Sequence, residues 1–374
     1  MALAASWAAG LRGEEPGPSS EDLDWDFLLR LARRHRISGL VYAGLNGAGV
    51  RPPSPAAEAL QAEARRIAID ELRAAGEALR LQEVLRSGGV EPMILKGVAV
   101  AMLAYGRLGL RYNFDIDILV RPKDVASSLR LLGEQGYRYV DGEDADGPTA
   151  RWLELHKDIV LRHESGRGVV ELHWRLFNNP RLLGGAHPEG QPVRLTANGV
   201  VQTLPEHLNL IFLCVHGAEH AWERLKWLVD VHALVMRMSD DSLTALYESA
   251  REKNVHRAVA QALLLCSRLF GLPIPDAIAR SRRSLRIRLL EALALHSMLA
   301  SGDREVREIR FGSTLKNVSH YLLSDGWGYW RAEMDYDVAD VSRAPPPRYL
   351  RRLGLLGRMI GWAGHHLRLR RRPS

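Results

Sequence analysis

The sequence has 374 residues, of which 46% are hydrophobic and 25% are charged. This length and composition predict a globular protein of two or three domains with a sizeable core, and they exclude a disordered or fibrous chain. The formal net charge of +7 falls to −2 when the nine arginines of the acid-free segment 343–374 are left out, which argues against an extended nucleic-acid-binding body.

Cysteine usage and hydropathy indicate a reducing compartment. Cys214 and Cys266 lie in apolar helical patterns, and two cysteines are too few for a disulfide scaffold, so we expect buried thiols in a cytoplasmic protein. No apolar run reaches 18 residues, so no transmembrane helix is expected. Residues 1–20 are rich in Gly, Pro and Ser and have no basic segment before their apolar residues, which predicts a disordered, non-secretory leader.

The N-terminal block, residues 21–89, has the periodicity of three helices. Apolar residues recur at helical spacing over 22–36, 37–45 and 55–87. The block contains no candidate group for chemistry, and we predict that it forms a helical cap against the following domain.

An α/β unit begins at residue 90. The apolar residues 93–95 predict a short buried strand, Lys96 and Gly97 interrupt it, and residues 98–105 predict a helix packed on a sheet. Arginine outnumbers lysine 45 to 6 in this chain, so a lysine at such a junction is unusual.

The next strand begins at its polar end, with Asp115-Ile116-Asp117-Ile118. Period two places the two acids on one face and the two isoleucines on the other. Carboxylates about 7 Å apart repel each other unless a cation lies between them. The pattern therefore predicts a divalent site, with Mg²⁺ as the ion because it takes oxygen ligands and keeps open positions. An exposed strand end with two solvated acids is the alternative.

The chain then continues with alternating elements. We predict a helix over 121–135, a strand over 137–140, an acidic glycine-rich stretch over 141–149, strand-like alternation over 151–161 and a hairpin turn over 164–168.

Residues 169–174 predict the strand that follows this turn, and period two places Glu171 and His173 on the same face. A charged outer face on a surface strand is one explanation of this pattern. His173 is either a residue that supports the metal ligands or a half-buried core histidine.

Residues 175–204 predict an irregular segment, and helical periodicity follows from residue 205. His216 and His220 are spaced as a zinc-binding pair, but a third ligand is not evident. With Arg224 and Lys226 they form either a group that contacts anionic ligand groups such as phosphates, or solvated charges around a core helix.

The aromatic residues near Lys316 are predicted either to line a ligand pocket or to fill a core. Residues 346–374 predict a basic amphipathic helix that contacts a membrane surface or an acidic partner, or packs on the helical domain.

One pattern, LKG…LAYG…R…DIDILV, resembles the nucleotidyltransferase superfamily with the polymerase-β-like fold, in its bacterial branch labelled uncharacterised nucleotidyltransferase. The match is best over residues 90–174, with an echo over 216–230. The resemblance implies an α+β fold: a mixed-sheet core over 90–200, preceded by the helical cap and followed by a large helical domain over 201–345. One departure is that Lys96-Gly97-Val98 replaces the usual Gly-Ser, so the hydroxyl that helps to hold a phosphate is missing.

The resemblance also implies the site residues. Mg²⁺, or Mn²⁺ in its place, is expected on three acids, with the third from a strand beside the D-x-D strand: Asp115, Asp117 and Glu171. The NTP, expected to be ATP, is assigned to Lys96, Gly97, Arg111 and Lys226. Residues that support the ligands or face the acceptor are His173, His216, His220, Arg224 and Asp230. Arg111 has an alternative role, because it could pair structurally with an acid.

The implied reaction is nucleotidyl transfer to a small-molecule or peptide acceptor, with release of pyrophosphate. Two other classes stay open. A phosphoryl transferase would use the same metal and triphosphate, and a non-catalytic, antitoxin-like binding protein would keep only the fold. The presence of all three acids argues against the non-catalytic protein.

Overall fold

The computed structural model of the protein describes residues 23–140, 150–184, 187–299 and 312–341. The leader, the acidic stretch 141–149, the Lys316 side chain and the basic tail lie outside the described residues or side chains, so what the sequence predicts for them stays a prediction.

The N-terminal cap consists of three helices: α1 (Trp25–Arg34), α2 (Ser38–Gly47) and α3 (Ser54–Ser87). Asp24 begins α1 because its side chain accepts a hydrogen bond from the Phe27 amide at 2.9 Å, which satisfies one free N–H group of the first turn. The predicted helical cap is confirmed.

The core sheet has five strands: β1 (Met93–Ile94), β2 (Asp115–Leu119), β3 (Tyr137–Tyr139), β4 (Asp158–His163) and β5 (Val169–His173). Their order is β1-β2-β5-β4-β3; β2 and β5 are parallel, and the other neighbours are antiparallel. This small mixed sheet, with helical regions on either side in the sequence, confirms the predicted α+β class.

The two faces of the sheet have different surroundings. Ile116 and Ile118 of β2, with Val170 and Leu172 of β5, are buried against apolar residues of α3 and of α5 (Val125–Glu134). On the opposite face of β2, Leu119 packs with the core of the C-terminal helices. The acids share that opposite face, so the strand periodicity directs them between the sheet and the helical domain.

Residues 150–155 form a helix, α6 (Ala150–Leu155), where the sequence predicted strand-like alternation. The strand begins only at Asp158. Trp152 explains the difference: its ring stacks on His156 at 3.8 Å, and its indole N–H donates to the Asp158 carbonyl, so both contacts close a turn.

Residues 175–204 contain a hairpin, β6 (Gln191–Arg194) with β7 (Val200–Thr203), where the sequence predicted an irregular segment. Gln82 of α3 holds this hairpin, because its side chain donates to the Val200 carbonyl and accepts from the Gln202 amide, each at 2.8 Å. The hairpin depends on this distant helix, so local periodicity could not reveal it.

The C-terminal part is helical. In the described ranges its helices are α7 (Glu206–Glu219), α8 (Leu225–Val235), α9 (Asp240–Glu252), α10 (His256–Phe270), α11 (Asp276–Ser281), α12 (Leu285–Leu299), α13 (Gly312–Leu323) and α14 (Trp327–Val341). α4 (Val98–Tyr105) of the core packs on α8, which joins the sheet to this domain. Within the described ranges, every helix is too short or too polar to cross a bilayer.

Gly39 of α2 allows the cap to approach the loop before β2, and we expect Gly39→Ala to destabilise the fold. A Cβ atom there would lie 2.5 Å from the Leu110 carbonyl oxygen, a backbone atom. Overpacking of this kind costs about 1–3 kcal/mol. Gly47→Ala in the same helix is the control, because no atom of the described residues lies within 4 Å of its added Cβ. Chemical denaturation of both variants checks the prediction, and equal free energies of unfolding would contradict it.

Candidate active site

Asp117 and Glu171 lie directly opposite each other across the parallel pair β2–β5. Directly paired residues share a face, so both carboxylates project from the sheet towards the helical domain. Asp117 is buried, with a side chain only 2% exposed, while the Glu171 side chain is 23% exposed. Asp115 lies on the same face of β2, at the start of the strand.

His173 lies among the acids. Its Nε2 is 3.0 Å from Asp117 Oδ1 and 3.4 Å from Glu171 Oε2. Its Nδ1 has no hydrogen-bond partner among the described residues and is 3.7 Å from Asp158 Oδ2. One donor atom each from Asp117, Glu171 and His173 lies within 4.8 Å of the others, a spacing that could hold one metal ion.

Lys96 reaches the same group from the end of β1. Its Nζ lies 2.7 Å from Asp117 Oδ1, so Lys96 and His173 share one carboxylate oxygen. Burial alone would raise the pKa of Asp117, but Lys96 and the hydrogen bond from His173 hold it well below its usual range. Asp117 is therefore charged and fixed in position.

Asp115 has the opposite environment. Burial and the neighbouring charge of Asp117 raise its pKa from 3.8 to about 6, although Lys96 partly opposes the shift. Burial and the charge of Asp117 thus both disfavour a charged Asp115, and an added cation would favour its charged form.

Asp115→Asn is expected to stabilise the metal-free protein. A folded-state pKa above the unfolded value means that charging the group opposes folding. This cost is fully present above about pH 6 and absent below pH 3.8, where the carboxyl is protonated in both states. A pKa change of this size corresponds to about 1–3 kcal/mol. Denaturation in EDTA at pH 7.5 and pH 3.5 measures it; an equal effect at both pH values would contradict this explanation.

Gly97 turns the chain from β1 into α4 with φ 61° and ψ −124°, a conformation that suits glycine. The first amides of α4, from Val98 onward, have no carbonyl partner within the helix and carry its positive dipole end. Lys96 and these amides lie where the sequence resemblance led us to expect a serine hydroxyl, and together they offer an anion site.

Arg111 is held by an acid of the helical domain. Its Nε lies 2.9 Å from Asp230 Oδ2, and the Tyr105 hydroxyl donates to Asp230 Oδ1 at 2.6 Å. Glu71 of α3 fixes the same loop, accepting the amides of Leu110 and Arg111 at 3.0 and 3.2 Å. This arrangement matches the structural alternative for Arg111, with Asp230 as the acid.

Lys226 lies in the first turn of α8 and donates to the Tyr112 carbonyl at 3.3 Å. Burial, with the nearby charge of Arg111, lowers its pKa to about 7, and it is close enough to Asp115 for their charges to interact. Arg224 instead donates to the Arg34 carbonyl of the N-terminal cap. The lysine thus borders the acids, and the arginine contacts the cap.

His216 and His220 form an aromatic group with Trp227. The two histidine rings are 4.7 Å apart, and Trp227 lies 5.3 and 5.0 Å from them. Burial and the charge of Lys96 hold the pKa of His216 well below its usual range, so its ring is neutral and near the acids. Among the described residues, neither histidine belongs to a group of three metal-ligating side chains.

Sequence reasoning missed Lys157 and Asp158, which form an ion pair beside His173. Asp158 lies opposite His173 in the β4–β5 pairing, on the face that carries the other acids. The scarcity of lysine was the available signal: of six lysines in the chain, Lys96, Lys157 and Lys226 have charges that act on these acids.

One protein-family model, described as uncharacterised nucleotidyltransferase, matches residues 21–271, which is more than half of the chain. The matched part includes the cap, the whole sheet and helices α7 to α10. No curated protein matches the sequence.

Proposed function

Because the chain belongs to the uncharacterised nucleotidyltransferase family and is thus an enzyme, we propose that it transfers a nucleoside monophosphate from an NTP, with ATP as the expected donor. The acceptor is a hydroxyl or phosphate of a small molecule or peptide, and pyrophosphate is released. The observation that carries this proposal is the pairing of Asp117 with Glu171 across β2–β5, beside Asp115 on the same face. Buried free thiols at Cys214 and Cys266 support a cytoplasmic setting.

The donor set fits a divalent ion. Carboxylate oxygens suit Mg²⁺ and Mn²⁺, and a cation there would oppose the burial and the repulsion from Asp117 that raise the pKa of Asp115. Asp117 and Glu171 would hold the ion, with Asp115 or His173 completing the protein ligands. When bound, such an ion neutralises charge on phosphate oxygens and on the attacking oxygen.

The chain's own residues supply positioning and charge. Gly97 and the first amides of α4 receive the phosphates, and Lys96 and Lys226 neutralise phosphate charge. Arg111 acts indirectly, because its pair with Asp230 fixes the loop that leads into β2. Nucleotidyl transfer requires chiefly in-line placement and charge stabilisation, which these elements provide.

The proton of the acceptor is assigned to Glu171. Its carboxylate is the more accessible of the directly paired acids, so an acceptor hydroxyl can reach it. The acceptor oxygen forms a bond to the α-phosphorus, the bond from that phosphorus to the bridging oxygen breaks, and pyrophosphate leaves with the electron pair. The half-buried group of His216, His220 and Trp227 borders the space in which we place the acceptor or the nucleobase of the NTP.

The fate of the phosphates tests the reaction type. Two parallel reactions contain the protein, Mg²⁺ and an extract of small molecules and peptides as the acceptor pool. One reaction receives α-labelled ATP and the other γ-labelled ATP. The proposal predicts that only the α label enters acceptors and that labelled pyrophosphate appears with the γ label. Transfer of the γ label instead would establish phosphoryl transfer by the same site.

A further inference from the structure

Two positively charged or proton-donating groups contact the same carboxylate oxygen of Asp117. Lys96 Nζ is 2.7 Å and His173 Nε2 is 3.0 Å from Oδ1. This oxygen belongs to the residue that would be the central ligand of a divalent ion. The site therefore contains cationic or proton-donating partners for its most buried acid.

The two partners differ in what they can do when a metal arrives. A neutral imidazole nitrogen has a lone pair and can itself be a ligand, whereas an ammonium group has three donors and no lone pair. His173 also lies near Glu171 and Asp158, so other acids still face it. Of the two, Lys96 is the group whose charge and position compete directly with the ion.

We propose that Lys96 is a positioning residue that takes the place of the divalent ion on Asp117 in the free enzyme and transfers to the triphosphate when metal and nucleotide bind together. This inference rests on the proposed function. In this inference Lys96 pairs first with Asp117 and then with the triphosphate, whereas the nucleotide-binding role alone pairs it only with the triphosphate.

The second partner would lie next to Lys96 in the chain. Lys96 immediately precedes Gly97, and the free amides at the start of α4 follow it. A phosphate bound to those amides lies beside a flexible four-carbon side chain, and it offers the ammonium group new acceptor oxygens. The Lys96 side chain is 13% exposed, so it is not enclosed by the core.

The consequence is linkage between metal and nucleotide. The metal alone must displace Lys96 from Asp117 without giving it a new partner, so it binds weakly. With a nucleotide present, the displaced ammonium group pairs with phosphate, and the metal binds more tightly. Such coupling is reciprocal, and coupling between sites commonly reaches about 5- to 150-fold.

The test measures Mn²⁺ binding to the full chain by titration calorimetry and by the paramagnetic resonance signal of free Mn²⁺. Wild type, Lys96→Met and Lys253→Met are compared, each with and without the non-hydrolysable analogue α,β-methylene-ATP. Lys253 is exposed at the end of α9, so its replacement removes the same formal charge away from the acids.

The expected result is that Lys96→Met binds Mn²⁺ alone about tenfold more tightly than wild type, while the analogue no longer strengthens Mn²⁺ binding. Lys253→Met behaves as wild type. Thermal unfolding adds a second readout: Lys96→Met is destabilised in EDTA because Asp117 loses its cation, and Mn²⁺ restores the stability. If the variant does not fold in EDTA, recovery of the fold on addition of Mn²⁺ still tests the inference.

Two outcomes overturn the inference. If Lys96→Met binds Mn²⁺ alone no more tightly than wild type does, Lys96 does not compete with the ion. Destabilisation that Mn²⁺ leaves unchanged shows a purely structural lysine. Failure of the proposed function has another signature, because wild type with the analogue would then bind no more Mn²⁺ than the analogue binds in a protein-free titration.

Discussion

Asp117→Asn is expected to abolish metal-dependent nucleotidyl transfer. Asp117 is the most buried acid of the site, lies opposite Glu171 and contacts Lys96 and His173, so its replacement removes the central charge of the site. Loss of one group that stabilises developing charge commonly costs about 100- to 1,000-fold in rate, and we expect a loss at the upper end or beyond it. Steady-state release of pyrophosphate from ATP measures the effect.

The Asn side chain keeps the shape and one acceptor oxygen, so its carbonyl can still accept from Lys96. Thermal unfolding of the variant therefore separates loss of activity from loss of fold. Asp335→Asn is the matched control, since that exposed acid of α14 makes only a surface pair with Arg331 at 3.7 Å among the described residues. Full Mg²⁺-dependent turnover by Asp117→Asn would show that the site lies elsewhere.

Asp230→Ala is expected to produce the largest loss of stability. The Arg111–Asp230 pair is buried, with side chains 4% and 1% exposed, and Tyr105 donates to the same carboxylate. Removing one partner of a buried pair leaves an uncompensated charge, which costs about 3–5 kcal/mol. Equilibrium denaturation measures the change in free energy of unfolding.

A double variant distinguishes the pair from the single side chain. Arg111→Met combined with Asp230→Leu removes both charges and fills the space with apolar atoms, and we expect it to recover most of the lost stability. Its nucleotide affinity is then informative. Near-normal affinity supports the indirect role of Arg111, while a strong loss with intact folding would assign Arg111 to direct phosphate contact. A cost below about 1 kcal/mol for Asp230→Ala would contradict the structural role of the pair.

The parts of the site that the sequence predicted are those set by strand periodicity. Alternation over Asp115–Leu119 and Val169–His173 is local, so the residue order alone is enough to place Asp117, Glu171 and His173 on their faces. The family resemblance then placed the two strands side by side, and the structure shows that they are parallel. The turn at Gly97 was likewise predictable, because a glycine follows a short buried strand.

The parts that could not be predicted depend on contacts between distant segments. Glu71 holds the loop of Arg111 from a helix 40 residues earlier, and Asp230 reaches the same arginine from the helical domain. Asp158 lies beside the other acids only because β4 pairs with β5. The predicted strand-like alternation began at residue 151, before the actual strand, so the sequence did not show which face Asp158 would share. Local pattern contains no information about such pairings.

A crystal of the full chain grown with Mn²⁺ and α,β-methylene-ATP tests the central claim most directly, through the anomalous scattering of Mn²⁺. The predicted result is a Mn²⁺ peak bonded to carboxylate oxygens of Asp117 and Glu171, with the triphosphate at the start of α4 beside Gly97. An apolar cavity of about 360 Å³ between the cap and the helical domain, lined in part by Leu40 and Val229, offers a different binding place. A nucleotide bound there, or a Mn²⁺ ion that touches neither Asp117 nor Glu171, would contradict the proposed site.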